Sequence, residues 1–517
     1  MLRVLQTDLA NPDHFVITLE LVPGRESTGR SVDTVMGIAR DAFSDGRISA
    51  VSITDNPGGN PSLSPDVVGS EIFKLGMDVI VHFTCRDMNR VGMESRALQL
   101  AMMGMKNILA LSGDYIGQGF GGQGAPVFDL DSVHLQIMLA LLSERIQVAG
   151  DPDGFFSGCA VSPFKYTHGE SFAQYAKLCR KMAAGAQFVI TQLGYDALKF
   201  AELILMMDHL GASIPAIGSV YVLTPGSARI MNARKVPGAV VSNQLRAQVE
   251  FEWRNKADGR RASIERSARL AAVLRGLGYR GVHIGGIHRN FETVGSILDR
   301  FEVVKDQWEE FLPQFAFGPE DGFYAFGQWP GEKPAAPRFG RRPPNFELLE
   351  RLRYAFLKGM HDLFFNRDHA LASFYARLSR YLDRPLGTRM IMDLIEGPAK
   401  QFLLKCQHCG DCAIQHVGFL CPESGCPKHT RNGACGGSRN GRCEVFSDRP
   451  CVWFRAYRRL AIADHRDDMV QGCVPPRMWE LNQTSSWINY HTMRDHQGST
   501  NILAQRCKIQ ECRLVPK

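Results

Sequence analysis

Between residue 15 and about residue 290 the chain passes eight times from a short apolar run to an amphipathic stretch, a rhythm few folds accommodate. The strand candidates are Phe15–Leu21, Ile48–Thr54, Asp78–Thr84, Asn107–Asp114, Gly158–Pro163, Gln187–Leu193, Pro215–Leu223 and Gly281–His288. Between them lie segments such as Ser132–Ala149, where Val133, Ile137 and Leu141 recur at helical spacing behind a capping Asp131. Alternating strand and helix implies a parallel sheet with right-handed crossovers. Eight units in roughly 300 residues suit a closed (β/α)8 TIM barrel better than an open sheet. The longest gap, between the seventh and eighth strands, carries basic helical sequence around Arg254–Arg275 and has room for an extra helix.

The pattern breaks at residues 318–345, where Gly318-Pro319, Pro330-Gly331, Lys333-Pro334 and Arg341-Arg342-Pro343-Pro344 read as a linker or an arm draped over a surface. Helical sequence resumes at Asn345-Phe346-Glu347, a candidate N-cap and first turn, and its aromatics (Phe356, Phe364, Phe365, Phe374, Tyr375, Tyr381) read as a packing face. The expected layout is a barrel over 1–317, the arm over 318–345, a helical, cysteine-rich metal-binding domain over 346–460, and an unassigned tail over 461–517. A hydrophobic content of 44% and charged content of 22% are those of a soluble globular chain. No apolar run approaches the length of a membrane span, and Met1–Asp8 lacks a secretory signal. A net charge of +7 over 517 residues is mild and does not imply nucleic acid. A cytoplasmic homo-oligomer is expected.

Of the 14 cysteines, only Cys85, Cys159 and Cys179 fall in the first 400 residues, too scattered for a disulfide frame. Eight are packed into 406–451, which in a chain without an export signal points to metal ligands. Cys406, Cys409 and Cys412 follow a C-x2-C-x2-C pattern that wraps one face of a cubane cluster, and Cys421-Pro422 offers a fourth thiolate. Cys426, Cys435, Cys443 and Cys451 make a second set, so one or two [4Fe–4S] clusters can be held. Zinc is the competing metal, with His408, His416 and His429 nearby. Cys473, Cys507 and Cys512 have no assigned role.

The expected strand ends carry polar groups: Glu20, Thr54-Asp55-Asn56, His82 to Asp87, Gly113-Asp114, Thr191-Gln192, Thr224 and His288-Arg289. C-terminal strand ends carry the chemistry of such barrels. Glu20 is the most telling, because an acid within an apolar strand must be solvated, paired or kept for proton transfer. The segments TLELVPGR (18–25), VSIT (51–54), HFTC (82–85), ALSGD (110–114), KMAAGAQFVITQLGYD (181–196) and VHIGGIHR (282–289) resemble methylenetetrahydrofolate reductases, in the family's order and spacing. The resemblance implies a flavin-containing barrel that reduces 5,10-methylenetetrahydrofolate to 5-methyltetrahydrofolate, or runs the reverse. Glu20 would then be the general acid at folate N10, and Asp114 would lie between flavin and pterin. Gln192 would bind the pterin and Arg289 a polar part of the tetrahydrofolate. Thr54, His82 and Gly113 would line the flavin, while Arg180 and Lys181 would neutralise its phosphate, with FMN slightly favoured over FAD. The segment Gly433–Gly437 resembles the iron–sulfur module fused to or partnered with some of these enzymes. Electrons would come from NAD(P)H, or through that module from a ferredoxin or similar protein.

Three places depart from the family pattern. Ser112 stands where Arg is common, Val161–Lys165 lacks a Tyr-Pro-Glu, and Thr224–Arg229 lacks an expected Gln. The formal GxGxxG at Gly117, Gly119 and Gly122 is separated from the next helix by Ala125-Pro126-Val127, so it reads as a lid and not as a dinucleotide fingerprint. Two other functions fit the same residues: a pterin-dependent methyltransferase with a corrinoid partner, or a non-catalytic electron-transfer scaffold.

Overall fold

The structure, a computed structural model, describes residues 4–330, 336–339, 348–384, 387, 390–463, 465–498 and 514. All eight expected strands form: β1 (Val16–Leu21), β2 (Ala50–Ile53), β3 (Val79–Thr84), β4 (Asn107–Leu111), β5 (Phe156–Val161), β6 (Phe188–Thr191), β7 (Ala216–Tyr221) and β8 (Gly281–Gly285). They are parallel and close into one barrel in sequential order, with β8 returning to β1 through Val16↔Gly281 and Thr18↔His283. Strand side chains alternate, so every second residue points into the barrel. The lower layers are apolar: Val16, Ala50, Ile80, Leu109, Phe156, Phe188 and Ile217 pack together, and Leu5 and Leu9 of the N-terminal helix Val4–Ala10 plug the floor. One step further up, the inward positions turn polar, with Thr18, Ser52, His82, Ser219 and His283 all buried. That switch creates a polar chamber at the mouth.

The β4-to-β5 helix starts where the sequence indicates. Asp131 caps it by accepting from the N–H groups of Val133 and His134, which satisfies two of its free donors. The β7–β8 gap holds three helices, Pro225–Asn232, Asn243–Glu252 and Lys256–Gly276, two beyond the usual one. Gln118–Gly119 and Gly122–Gln123 pair as a tiny antiparallel ribbon.

The segment after the barrel is an arm fixed to its side. Tyr324 donates to Asp196 at 2.6 Å, and Phe323 N–H donates to the Tyr166 carbonyl at 3.1 Å. Phe339 meets Phe172 edge-on with ring centroids 5.2 Å apart. The helical region then packs back on the barrel, with Tyr457 of helix Val452–Ile462 5.1 Å from Phe172. The described part of the tail belongs to the same body: Trp479 donates to Asp129 at 2.7 Å, and His496 bonds buried Asp411. Cys179 and Cys473 are each disulfide-bonded, which their isolation in the sequence did not suggest. The expected N-cap Asn345, the Lys333-Pro334 and Arg341–Pro344 stretches, and Cys507 and Cys512 lie outside the described residues. Among the described residues no helix is long and apolar enough to cross a membrane.

Candidate active site

The polar chamber opens into a cavity of about 540 Å³ lined by Glu20, Thr54, His82, Gly113, Asp114, Lys181 and Gln192, seven of the expected site residues. Its volume is that of a small-molecule site. Arg180 and Arg289 are not in its wall. Arg289 is exposed beyond the end of β8. Arg180 is buried, and Nη2 faces the carbonyls of Asp468 and Gln471 at 3.4 Å while Nε and Nη1 have no partner among the described residues. Burial pushes its pKa down to about 10.

Glu20 enters the cavity from β1. Burial pushes its carboxyl up, but the pull of His283, 3.9 Å away, outweighs this and holds it below the usual carboxylate range. General-acid work calls for a carboxyl that holds a proton, whereas His283 here favours the charged form. His283 is oriented from its other nitrogen, since Nδ1 lies 2.8 Å from Thr18 Oγ1, which donates to the Val282 carbonyl. With the hydroxyl proton so committed, Nδ1 carries a hydrogen and Nε2 faces Glu20. The 3.9 Å between Nε2 and the carboxylate is longer than a direct hydrogen bond.

His82, on β3, bonds Ser52 Oγ at 2.6 Å, and burial lowers its pKa to about 4. It is neutral in the folded chain near pH 7, whereas an unfolded histidine titrates near 6.5. The unfolded state therefore takes up the proton first on acidification. Stability should fall as pH drops from about 6.5 and the loss should be complete near 4, by up to about 3 kcal/mol. Denaturant midpoints at pH 7 and pH 5 check this, and the drop should shrink in His82→Asn.

Asp114 is set by the backbone after β2: Gly58 N–H donates to its Oδ2 at 2.9 Å. Gly113 precedes it at φ +82°, and a Cβ there would stand 3.0 Å from Thr84 Cβ, so this turn wants glycine. Lys181 Nζ donates to the Ala160 carbonyl at 2.7 Å, and burial lowers its pKa to about 8. Gln192 lines the cavity with its amide already engaged, donating to Pro237 O at 3.0 Å and accepting from Leu193 N at 2.8 Å.

The remaining wall comes from the cysteine-rich module. Lys428, Cys435, Gly436 and Glu444 all line the cavity. Buried Lys428 pairs with Glu444 and donates to Gly113 O at 2.7 Å, beside Asp114. The barrel helix His168–Ala183 and the turn before it answer with donors: Lys165 to Gly436 O at 2.6 Å, Gln174 to Cys435 O at 2.9 Å and Lys177 to Gly433 O at 3.2 Å. Sequence reasoning missed His283, Lys428 and Glu444. The alternation along β8 would have found His283; no spacing signal marks the other two.

The eight expected thiols separate into the two expected sets. Cys406, Cys409, Cys412 and Cys421 surround one small void, and Cys426, Cys435, Cys443 and Cys451 another, of about 30 and 20 Å³. Lys405, His408 and Gly410 wind the first loop through left-handed backbone, as His429, Gly433 and Asn440 do the second. For non-glycine residues that conformation costs roughly 1–2 kcal/mol each, a strain that clusters at ligand clamps. His408 N–H points at Cys406 Sγ, 3.4 Å away. Burial pushes the Cys421 thiol up to about 11 and Cys435 up to about 12, so a metal entering these rings must displace protons. Among the described residues no three His, Cys, Asp or Glu side chains converge where one metal ion could be held.

A chamber of this make-up, at the strand ends of a closed parallel barrel, defines a (β/α)8 protein with a small-molecule site. The methylenetetrahydrofolate reductase family model matches residues 5–301, and a second model, described as methylene-tetrahydrofolate reductase C terminal, matches 388–480. The chain belongs to the methylenetetrahydrofolate reductase family. Among curated relatives, "Probable methylenetetrahydrofolate reductase (NADPH)" of Caenorhabditis elegans is 27% identical over 213 residues, 40% of this chain and 29% of that protein. Methylenetetrahydrofolate reductase 1 of Schizosaccharomyces pombe is 25% identical over 192 residues, 37% of this chain and 30% of that one. The chain thus matches under a third of the length of these relatives. One solved structure, an uncharacterized protein from Clostridium thermocellum that binds two copies of 5-methyl-5,6,7,8-tetrahydrofolic acid, aligns with TM-score 0.40 and 13% identity over 59% of this chain and 99% of its own.

Proposed function

We propose that this chain is a flavin-dependent 5,10-methylenetetrahydrofolate reductase whose electrons arrive through iron–sulfur centres in its own C-terminal module. The observation that carries the proposal is Cys435, which lines both the barrel-mouth cavity and the void ringed by the second thiol set. A cluster held there would stand one side chain from anything bound in the chamber.

The residues present fit a flavin ring. Leu109, Leu111, Ala160 and Ile190 give an apolar floor, and Thr54, His82, Asp114 and Lys181 give polar edges. Buried Ser162 Oγ, also in the wall, has no partner. Arg180 is already occupied by the module, so Lys181 and the exposed Lys235 of the cavity wall are the cations proposed for a phosphate. When bound, flavin supplies the hydride that reduces the one-carbon unit.

The chain's own residues do the rest. Glu20 takes a proton through His283 and delivers it from its carboxyl to folate N10, opening the five-membered ring to an electrophilic iminium. Asp114, fixed by Gly58, accepts from the pterin, and Gln192 releases Pro237 to bond the same ring. The module wall of Lys428, Cys435, Gly436 and Glu444 keeps water out during transfer. A corrinoid-linked methyltransferase needs no thiol ring against its chamber, and a scaffold has no use for a Glu20–His283 pair.

Anaerobic purification with an absorption spectrum and metal analysis tests the cofactors. The expected preparation is yellow-brown, with one flavin and about eight irons per chain if both rings hold a cubane. Stoichiometric zinc without iron, or a flavin-free protein, would overturn the relay.

A further inference from the structure

The helical region turns an apolar stripe to solvent. In helix Leu348–Phe365 one face is spoken for: Tyr354 is buried against Phe419, His361 packs on Phe365 and Phe419, and Glu350 pairs with Arg455 and Arg459 at 2.8 Å each. The other face carries Leu349 (56% exposed), Leu352 (58%), Phe356 (55%), Met360 (41%) and Leu363 (38%). Their steps of three, four, four and three residues make one straight ridge along the helix. Leu371, Phe374 and Tyr381, on and just before the adjoining helix Ala372–Leu382, are exposed as well. Soluble monomers rarely show contiguous apolar patches above a few hundred Å².

The spacing reads the same in both directions. Centred on Phe356, Leu352 mirrors Met360 and Leu349 mirrors Leu363, so the ridge is complementary to itself when a second helix runs antiparallel. A two-fold axis through Phe356 demands that pairing, because an isologous contact sets residue i on j and j on i. Gly359 supplies the room near the axis: a Cβ there would meet nothing within 4 Å, leaving a hollow beside Phe356 for the opposing ring. The eight half-exposed side chains, at roughly 100 Å² each, cover about 800 Å² per copy, the area a stable protein interface buries on each side.

The geometry points to a second copy of this chain as the occupant, docked helix to helix through Leu349–Leu363 about a two-fold axis at Phe356. This inference is independent of the flavin and cluster assignments. Sedimentation of the full chain tests it. Wild type is expected at twice the monomer mass or a multiple of that, and Leu349→Lys or Leu363→Glu should each halve the mass. Both sites are exposed, so far-ultraviolet circular dichroism at low temperature should match wild type and exclude misfolding, while the thermal midpoint falls with dissociation. The register gives the sharper test. In the double variant Leu349→Lys/Leu363→Glu, each new lysine faces a new glutamate across the axis, and dimerisation should return at least tenfold over either single change. A wild-type monomer, single variants that keep their mass, or a double variant no tighter than the singles would overturn the assignment. The first of these outcomes would leave the face to a different protein.

Discussion

Glu20→Gln is expected to keep the barrel folded and its ligands bound while folate reduction falls by about a hundredfold to ten-thousandfold, the span general-acid catalysis contributes. The substitution preserves size and hydrogen-bonding capacity and removes only the ability to give up a proton. The expectation rests on placement: Glu20 is the acid at the inward end of β1, and His283, held from behind by Thr18, is the titratable group that faces it. Because His283 favours the charged form of Glu20, a general-acid role requires a proton to be delivered to it during turnover. His283→Gln should therefore weaken turnover and move its pH profile, leaving the spectrum of bound flavin unchanged. Single-turnover reduction followed by absorbance separates the two variants from wild type. Near-normal turnover in Glu20→Gln would remove the residue from the mechanism.

Arg431→Met is expected to destabilise the C-terminal module by about 3–5 kcal/mol, the usual result of stripping one partner from a buried ion pair. The guanidinium is 2% exposed and its partner Asp411 is fully buried. Nη1 donates to Asp411 Oδ2 at 2.8 Å and to the Pro475 carbonyl at 3.1 Å, and Nη2 donates to Asp411 O at 2.8 Å. Desolvation alone would push Asp411 up, but Arg431 and His496 hold it well below the carboxylate range. A lowered carboxylate contributes stability above its unfolded pKa, near 3.9, and loses it as pH falls further. The Arg431 effect should thus be full at neutral pH and shrink in strong acid. The module–barrel bonds next to it, from the backbone N–H groups of Arg431 and Asn432 to Asp131 Oδ2 at 3.1 and 2.9 Å, survive the substitution, so the effect comes from the unpaired Asp411. Loss of the guanidinium should loosen both thiol loops and raise proteolysis of the module ahead of the barrel. A thermal midpoint equal to wild type would contradict this.

The barrel was legible because two periodicities alternate without interruption, and because glycine or a polar residue stops each apolar run at the mouth. Glu20, His82, Asp114 and Gln192 could be placed from that rule alone, since strand ends converge on one opening. The cations on helix His168–Ala183 could not. A lysine or arginine is written the same way whether it meets a phosphate or a row of backbone carbonyls, and here Lys165, Lys177 and Arg180 serve the carbonyls of the module. The departure at Val161–Lys165 acquires a physical reason in the same contacts, because Lys165 docks Gly436 and Ser438. At β4, where the family often has arginine, Ser112 donates to Ser132 and positive charge is brought by Lys428, some three hundred residues further on, and by Arg86. Contacts over that separation leave no local pattern. The neighbour that sets the charge of Glu20 was hidden for a related reason: burial can be inferred from one strand, but the opposing His283 stands on another.

The central claim is that one chamber joins flavin, folate and the module's electrons. The direct test takes anaerobically prepared full chain, reduces it chemically, mixes it with 5,10-methylenetetrahydrofolate and follows flavin absorbance alongside product. Reoxidation of the flavin is expected, with at least one 5-methyltetrahydrofolate formed per flavin and up to two where both clusters also deliver their electrons. Reduced flavin that stays reduced in saturating folate would contradict it.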